Sequence, residues 1–378
     1  MTPALRKLFR KGSPTRAEID AFVAAAEFPL VDGSDITFVF RGSAEQVFLR
    51  CWVSGFDTAQ PLQLLADTDL WATTIELPPG SRIEYKFEVV ANGHRRLILD
   101  PLNDVRAHDP FGANSVCQGA GYERPAWTLA DPEARSGAIK HARIDSATLH
   151  DTRDLSIYVP ARFRRNRRYP LLVVHDGHDY LRYADLKTVL DNLIHYLAIP
   201  QMIVALTQSP DRLREYAADD RHAAFIAEEL LPYMARSWPL IDDRSARGVM
   251  GASFGGVAAL HTAWKFPDRF GNLLLQSGSF AFSDLGRHQR GPVFDPVARF
   301  MNAFREEPGD LSGKIYMSCG IYESLIYENR SLLPRLQRPR VQVRFEEARD
   351  AHNWEIWRDR LQSGLSWLFP GPLWLVYE

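Results

Sequence analysis

The sequence has few cysteines, no long apolar run and no excess of charge of one sign. Cys51, Cys117 and Cys319 are too few and too scattered for a disulfide framework. No apolar run approaches the roughly 18 residues of a membrane span, and the basic amino-terminal stretch MTPALRKLFR lacks the apolar segment of a signal peptide. Lys and Arg number 45 against 47 Asp and Glu, which argues against a nucleic-acid partner. We therefore expect a cytoplasmic protein that binds neither nucleic acid nor membrane.

Short runs of alternating apolar and polar residues fill the chain between about 36 and 100. They cover 36–40, 47–53, 74–77, 83–90 and 96–99. Regularly spaced runs of this kind predict an antiparallel β-sandwich. Asn92 and Gly93 predict a type I′ hairpin turn, because both central positions of that turn need positive φ. Ahead of the strands, Thr15 and Glu18 have the spacing of a capping box and predict a helix.

The second half of the chain alternates strands with helices. The predicted strands are 155–159, 171–174, 202–206, 247–250, 273–276, 315–318 and 341–346, and the predicted helices are 186–197, 225–234, 257–266 and 354–369. Such alternation predicts a mostly parallel sheet with helices on both faces. The stretch 101–150 looks like linker or irregular packing. We therefore expect two domains, 1–135 with the small helix, the β-sandwich and the linker, and 136–378 with the α/β architecture.

One motif in the second half indicates chemistry. Gly251, Ser253 and Gly255 form G-x-S-x-G, directly after a predicted strand and directly before a predicted helix. This context defines the nucleophile elbow of α/β hydrolases, in which a strained turn exposes the serine hydroxyl above the sheet. The helix amino terminus beside it favours the negative charge that develops in acyl transfer. Ser253 is therefore the predicted nucleophile.

A serine nucleophile needs a base, and three histidines follow Ser253 in the chain. His261 lies in the helix after the elbow and is expected to be packed or at the surface. His288 lies in a charged loop and is expected to be solvated. His352 follows the last predicted strand and precedes the final helix, where this fold presents its base. His352 is the predicted base.

The acid that orients the base should follow the strand at 315–320, because the chain order in this fold is serine, acid, histidine. Glu323 comes directly after that strand and is favoured. Glu328 lies further on, in the next predicted helix, and Asp350 is close to His352 in sequence. Both stay open as alternatives, as does a serine–histidine pair without an acid.

Two backbone N–H groups should stabilise the oxyanion. One belongs to Phe254, directly after the serine, and the other lies in the loop after an early strand, where Gly177 allows close approach and His178 is the favoured donor. His175 and His178 do not have the spacing of a metal site such as HExxH. We expect neither a metal nor another cofactor.

Several segments resemble the putative-esterase (esterase D) group of α/β hydrolases, and in particular enterochelin esterases and their relatives. They are GASFGG at 251–256, FPDRFG at 266–271, QSGS at 276–279, RLREY at 212–216, ELLP at 229–232, DG at 176–177 and HNWEIW at 352–357. In the last segment Asn353 replaces the usual Asp of the family. The resemblance covers nearly the whole chain and implies an α/β-hydrolase fold with ester-hydrolase activity.

The amino-terminal half resembles the immunoglobulin-like domain of enterochelin esterases. The similarity lies in EYKF at 84–87 and DPLN at 100–103, and glycogen- and carbohydrate-binding modules of like fold carry a similar pattern. The resemblance therefore leaves three roles open for this domain. It binds part of a large ligand, binds a glycan, or only packs.

The resemblance implies a small-molecule ester substrate, in the siderophore case an iron-loaded catecholate joined by serine-lactone linkages. Arg212, Trp354 and Trp357 would contact its charge and aromatic rings. In the alternative, Arg212 stabilises its own loop through Glu215 and the tryptophans belong to the core. Two rival functions remain: an esterase for feruloyl or acetyl groups on carbohydrate, and a non-catalytic ligand-binding member of the fold. The sequence leaves the oligomeric state open.

Overall fold

The computed structural model describes residues 2–53, 58–283, 290–311 and 313–371. The chain divides into two compact units. The first comprises Met1–Arg124, Gly320–Ser324 and Ala348–Asn353, and the second comprises Pro125–Cys319, Leu325–Glu347 and Trp354–Glu378. The first continuous segment ends at Arg124, ahead of the predicted boundary near 135. Two short segments of the carboxyl-terminal half thus belong to the first unit.

The first unit contains two short helices and two antiparallel sheets. The elements are α1 (Pro3–Leu8), α2 (Arg16–Ala25), β1 (Leu30–Asp32), β2 (Asp35–Arg41), β3 (Gln46–Cys51), β4 (Gln60–Pro61), β5 (Gln63–Leu64), β6 (Leu70–Glu76), β7 (Arg82–Ala91), β8 (His94–Ile98), β9 (Arg106–Asp109) and β10 (Gly112–Gln118). One sheet has the order β1-β2-β6-β5, and the other has the order β4-β3-β7-β10-β9 with β8 paired to β7. Aromatic side chains of both sheets share a core, with the Phe38 and Tyr85 rings 4.7 Å apart.

Two local predictions for this unit are confirmed. The Thr15 hydroxyl accepts a hydrogen bond from the Glu18 N–H at 3.3 Å, and the Glu18 carboxylate accepts from the Thr15 N–H at 2.8 Å, which completes the capping box of α2. Asn92 and Gly93 have φ angles of 51° and 73°. They form the turn between the antiparallel strands β7 and β8.

The residues that resemble carbohydrate modules form a buried network of their own. The Tyr85 hydroxyl donates to the Asp100 carboxylate at 2.5 Å. The Asn103 side-chain amide donates to the Tyr85 oxygen at 3.0 Å and to the Val116 carbonyl at 2.8 Å. This internal bonding gives the EYKF and DPLN segments a folding role without any ligand.

The prediction of linker or irregular packing for 101–150 is wrong for much of that stretch. β9 and β10 lie in it, and β10 pairs with β7 inside the larger sheet. β11 (Ala138–Ser146) lies in it as well. β10 reads GANSVCQ, and its polar Asn114 and Ser115 are buried. Buried polar residues remove the alternation on which strand prediction depends.

The second unit is built on one eight-stranded sheet in the described part of the chain. Its further elements are β12 (Asp151–Val159), β13 (Leu171–Val174), α3 (Gly177–Tyr183), α4 (Leu186–His195), β14 (Ile203–Thr207), α5 (Arg212–Glu215), α6 (Asp220–Ala224), α7 (Leu231–Ser237), β15 (Arg247–Ala252), α8 (Phe254–Lys265), β16 (Asn272–Gln276), α9 (Asp295–Glu306), β17 (Gly313–Gly320), α10 (Ile326–Leu336), β18 (Val341–Ala348), α11 (Trp354–Asp359) and α12 (Leu361–Leu368). The strand order is β11-β12-β14-β13-β15-β16-β17-β18.

The central strands β14, β13, β15, β16 and β17 are parallel, and β11 and β12 extend the sheet in antiparallel fashion. Every residue of β13, β14 and β16 is buried. Because neighbouring residues of a strand face opposite sides, helices and loops must cover both faces here. Helices α3, α5, α6 and α9 were not predicted. Helix α10 is the predicted helix that carries Glu328. The predicted closing helix 354–369 is interrupted at Arg360 and forms α11 and α12.

None of the helices in the described ranges is long and apolar enough to cross a membrane.

Candidate active site

Ser253 occupies a strained turn between β15 and α8. Its φ and ψ angles are 57° and −121°, a conformation that L-residues avoid. Its N–H donates to the Gln276 carbonyl of the neighbouring strand β16 at 2.9 Å. A Cβ atom on Gly251 would lie 2.4 Å from the Gly255 carbonyl carbon, so the chain passes itself too closely there for any side chain. The elbow predicted from G-x-S-x-G is therefore present as a strand–turn–helix.

The two motif glycines differ in what they tolerate, which gives a first prediction. We expect Gly251→Ala to lower the free energy of unfolding by about 3 kcal/mol or more, because its Cβ would meet backbone that cannot yield. A Cβ on Gly255 would lie 3.4 Å from Asp176 and His175, an ordinary contact distance. We expect Gly255→Ala to stay within about 1 kcal/mol of the parent, since alanine also favours the helix. Urea unfolding of both variants checks this, and equal losses would contradict it.

Ser279 contacts the Ser253 side chain, and the sequence analysis assigned it no role. The two hydroxyl oxygens lie 3.1 Å apart, and the Ser279 N–H donates to the Ser253 carbonyl at 3.2 Å. Ser279 belongs to the QSGS segment that follows β16. The signal that could have found it is therefore its position after the strand next to the elbow, at the same edge of the parallel sheet.

Glu323 and His352 lie together in the first unit. The Glu323 Oε2 atom is 2.6 Å from His352 Nδ1, and its Oε1 atom accepts the Gly320 N–H at 2.8 Å. Glu323 is buried, whereas the His352 side chain is 36% exposed. A carboxylate at Nδ1 favours the neutral tautomer with its proton on Nδ1, in which Nε2 carries the lone pair of a base. This pair has the geometry of an oriented general base.

The two alternative acids bind other side chains. Glu328 is buried, not on a solvated helix face, and its carboxylate pairs with Arg290 at 2.7 Å. Asp350 pairs with Arg82 at 3.3 Å and accepts a hydrogen bond from the Asn353 amide at 2.7 Å. Burial raises the pKa of Asp350 to about 6, with Arg82 opposing the rise. These contacts favour Glu323 over both.

The two predicted oxyanion donors differ in their surroundings. Phe254 is the first residue of α8, so its N–H has no acceptor within the helix. The His178 N–H donates to the Gln208 side-chain oxygen at 3.3 Å. The His178 ring Nε2 lies 3.1 Å from the Ser156 hydroxyl. A substrate oxygen at His178 would replace Gln208 as acceptor, and the role of His178 stays a prediction.

Arg212 bonds to both segments that carry the predicted oxyanion donors. Its Nε atom donates to the Asp176 carboxylate at 2.8 Å, and its Nη2 atom donates to the Ala252 carbonyl at 3.2 Å. Its guanidinium also lies 6.0 Å from the centre of the Phe254 ring. The alternative that Arg212 pairs with Glu215 is wrong, because that carboxylate accepts from Arg153 at 2.6 and 2.8 Å. A substrate contact by Arg212 stays a prediction.

The Arg212–Asp176 pair leads to a pH-dependent prediction. Burial raises the pKa of Asp176 and Arg212 opposes the rise. In Arg212→Ala this pKa rises further, and we expect a loss of about 2 kcal/mol in unfolding free energy at pH 8, less than for a fully buried pair. The expected loss is smaller than for a fully buried pair because the Arg212 side chain is 31% exposed and water screens its charge. The loss should shrink as the pH falls, because a neutral Asp176 no longer needs the cation.

The matched control for this prediction is Arg214→Ala. Arg214 is exposed and pairs with Asp211, the exposed residue directly before α5, so we expect a loss of about 0.5 kcal/mol or less. Urea unfolding at pH 5 and pH 8 measures both variants. A loss in Arg212→Ala that does not depend on pH would contradict the assignment.

The predicted aromatic contacts lie mostly inside the second unit. Trp354 is 8% exposed and its ring lies 5.2 Å from that of Tyr180. Trp357 is 5% exposed and its indole N–H donates to the Ser277 hydroxyl at 3.0 Å. Little of either ring faces solvent, as the core alternative requires. Their contact with substrate stays a prediction.

The two other histidines that follow Ser253 in the chain have no part in the predicted site. His261 is buried on α8, and its Nε2 atom lies 3.1 Å from the Asp220 carboxylate; of the two expected placements, packed or at the surface, the structure shows the packed one. His288 lies outside the described residues. Within the described ranges, no group of three or more His, Cys, Asp or Glu side chains could hold a metal ion.

Comparison with known proteins identifies the class first. Residues 146–368 match the family model described as Putative esterase, and the chain belongs to this family of ester hydrolases. It is 26% identical over 372 residues to the iron(III) enterobactin esterase of Escherichia coli O6:H1 (strain CFT073), with 88% of this chain and 90% of that protein covered. The resemblance to enterochelin esterases is thereby confirmed.

Solved structures show a similar fold. The enterobactin esterase from Shigella flexneri, crystallised in the presence of enterobactin, is 22% identical, with a TM-score of 0.75 over 92% of this chain and 97% of that chain. A ferulic acid esterase from Anaeromyces mucronatus is 15% identical, with a TM-score of 0.52 over 64% of this chain and 94% of that chain. These likenesses support the predicted α/β-hydrolase fold.

Proposed function

We propose that the protein is a serine carboxylic-ester hydrolase that works through an acyl-enzyme on Ser253. His352 is the general base and Glu323 orients it. The observation that carries the proposal is the 2.6 Å contact between Glu323 and His352. It joins the acid and the base that the chain order of an α/β hydrolase requires, in a chain that also has the strained elbow at Ser253.

The chemistry follows from these roles. Ser253 Oγ attacks the ester carbonyl carbon while His352 Nε2 takes the hydroxyl proton. The N–H groups of Phe254 and His178 stabilise the oxyanion of the tetrahedral intermediate. The intermediate collapses, and the alcohol leaves with the proton from His352. Water then attacks the acyl-enzyme with His352 again as base, which releases the acid and the free serine. No step requires a metal or another cofactor.

As substrate we propose a ferric catecholate siderophore with ester linkages. The likeness to an iron(III) enterobactin esterase along 88% of this chain supports this choice. Such a ligand carries negative charge and aromatic rings. Arg212, Trp354 and Trp357 are its proposed contacts, and the two sheets of the first unit are proposed to form the immunoglobulin-like β-sandwich of that group.

A comparison of three esters tests the substrate class. Hydrolysis of a ferric catecholate trilactone is measured beside a feruloyl sugar ester and p-nitrophenyl acetate, with Ser253→Ala in parallel to exclude contaminants. We expect the trilactone to have the highest kcat/KM. Preference for the sugar ester would overturn the substrate but not the chemistry. Cleavage of none of the three, without labelling by a fluorophosphonate, would favour a non-catalytic binding protein.

The second candidate is an esterase for feruloyl or acetyl groups on carbohydrate. It is favoured by the fold shared with a ferulic acid esterase, which covers 64% of this chain. The similarity to the enterobactin esterase from Shigella flexneri extends further, over 92% of this chain. The buried Tyr85–Asp100–Asn103 network also explains the carbohydrate-module pattern without a glycan. The siderophore substrate therefore stands first.

A further inference from the structure

A buried arginine of the first unit has charged partners that the chemistry above does not use. Arg82 is the first residue of β7, and its side chain is only 3% exposed. Its guanidinium lies 3.3 Å from the Asp350 carboxylate and 3.2 Å from that of Glu84. Glu84 in turn accepts a hydrogen bond from the Asn114 amide at 2.7 Å. One planar cation thus contacts two carboxylates, of which that of Asp350 is buried.

The Asp350 carboxylate bonds to both chain neighbours of His352. Its Oδ1 atom accepts the Ala351 N–H at 2.7 Å and the Asn353 side-chain amide at 2.7 Å. His352 lies between these two residues. The Asn353 amide thus donates to Asp350 across the histidine, which stabilises the turn that carries His352.

One main-chain bond joins β7 to the segment of His352, and a side-chain contact joins the residue ahead of β7 to the segment of Glu323. The Arg82 N–H donates to the Arg349 carbonyl at 2.9 Å. The Asp350 carbonyl accepts the Tyr322 N–H at 3.1 Å, and the Tyr322 hydroxyl lies 2.5 Å from the Ser81 hydroxyl. Residues 81 and 82 therefore contact the turn before His352 and the turn that carries Glu323.

We propose that Arg82 is a positioning residue for the catalytic base: through Asp350 its guanidinium fixes the turn from which His352 projects. This inference rests on the proposed function. A buried ion pair adds little net stability over an apolar replacement, so stability alone does not account for a buried cation with two carboxylates. A base displaced by about 1 Å costs about a hundredfold in rate, and a fixed turn prevents that displacement.

The test measures kcat and KM for p-nitrophenyl acetate in Arg82→Lys and Asp350→Asn. Lysine keeps the charge but lacks the planar fork that contacts both carboxylates. Asparagine keeps the size of Asp350 but replaces one acceptor oxygen with a donor. We expect kcat to fall by about tenfold to a hundredfold in each. KM should stay within about twofold, because Arg82 is not expected to touch the substrate.

Tyr85→Phe is the matched control, because it removes a buried hydrogen bond elsewhere in the first unit. Unfolding in urea confirms that every variant is folded under the assay conditions. A kcat within about twofold of the parent in both Arg82→Lys and Asp350→Asn would overturn the proposal. An equal fall of kcat in folded Tyr85→Phe would also overturn it. His352→Ala distinguishes failure of the Arg82 proposal from failure of the proposed function. A His352→Ala variant that stays active would reject the proposed function itself.

Discussion

Ser253→Ala should lose ester hydrolysis almost completely, with kcat lower by about 10⁶-fold or at background. The methyl side chain cannot attack a carbonyl, and no other group of the proposed mechanism supplies a nucleophile. Hydrolysis of p-nitrophenyl acetate and labelling by a fluorophosphonate measure the loss. The unfolding free energy should change little, because the Ser253 side chain forms one hydrogen bond, with the Ser279 hydroxyl, that the variant loses.

Ser279→Ala is the matched serine-to-alanine control for this prediction. It removes the hydroxyl that lies 3.1 Å from Ser253 Oγ but leaves the nucleophile and the base. We expect a fall in kcat of about tenfold or less, the size of one lost neutral hydrogen bond. A Ser253→Ala variant that keeps more than a trace of activity, after contaminants are excluded, would reject Ser253 as nucleophile.

Glu323→Gln should give the second largest effect, a fall in kcat of about 10²- to 10⁴-fold. A glutamine amide can present an N–H to His352 Nδ1, which favours the tautomer with its proton on Nε2. That tautomer cannot accept the serine proton. The glutamine side chain also lacks the negative charge with which Glu323 stabilises the imidazolium of His352. KM should change little, and the steady-state rate with p-nitrophenyl acetate measures the loss.

Glu328→Gln makes the same chemical change at the alternative acid. Its carboxylate pairs with Arg290, so we expect some loss of stability but kcat within about threefold of the parent. The assignment of Glu323 fails if Glu323→Gln leaves kcat/KM nearly unchanged while Glu328→Gln lowers it by about tenfold or more.

Local patterns made much of the fold predictable. The strand runs of both halves, the Asn92-Gly93 hairpin and the capping box of α2 all depend on residues close in sequence. The contact between Glu323 and His352 could also be predicted from the sequence. Each of the two follows a strand, and neighbouring parallel strands end at one edge of a sheet.

The charged contacts over long sequence distances could not be predicted. Arg82 and Asp350 are separated by 268 positions, and nothing near either residue indicates the other. Arg153 and Glu215 pair across 62 positions, which left Arg212 available for Asp176. The linker prediction for 101–150 failed for a related reason, since β10 buries polar groups that pair only in the folded sheet. Tertiary hydrogen bonding decides such cases, and local sequence does not record it.

The most direct test of the account is mass spectrometry of the protein quenched during turnover of a slowly deacylating ester. The account predicts an added mass equal to the acyl group, on the peptide that contains Ser253. The adduct should be absent in Ser253→Ala and should form much more slowly in His352→Ala. Steady hydrolysis with no adduct would be uninformative if deacylation were fast, so a fluorophosphonate that cannot deacylate is run beside the ester. An adduct on another residue, or hydrolysis that persists after Ser253 is fully labelled, would contradict the account.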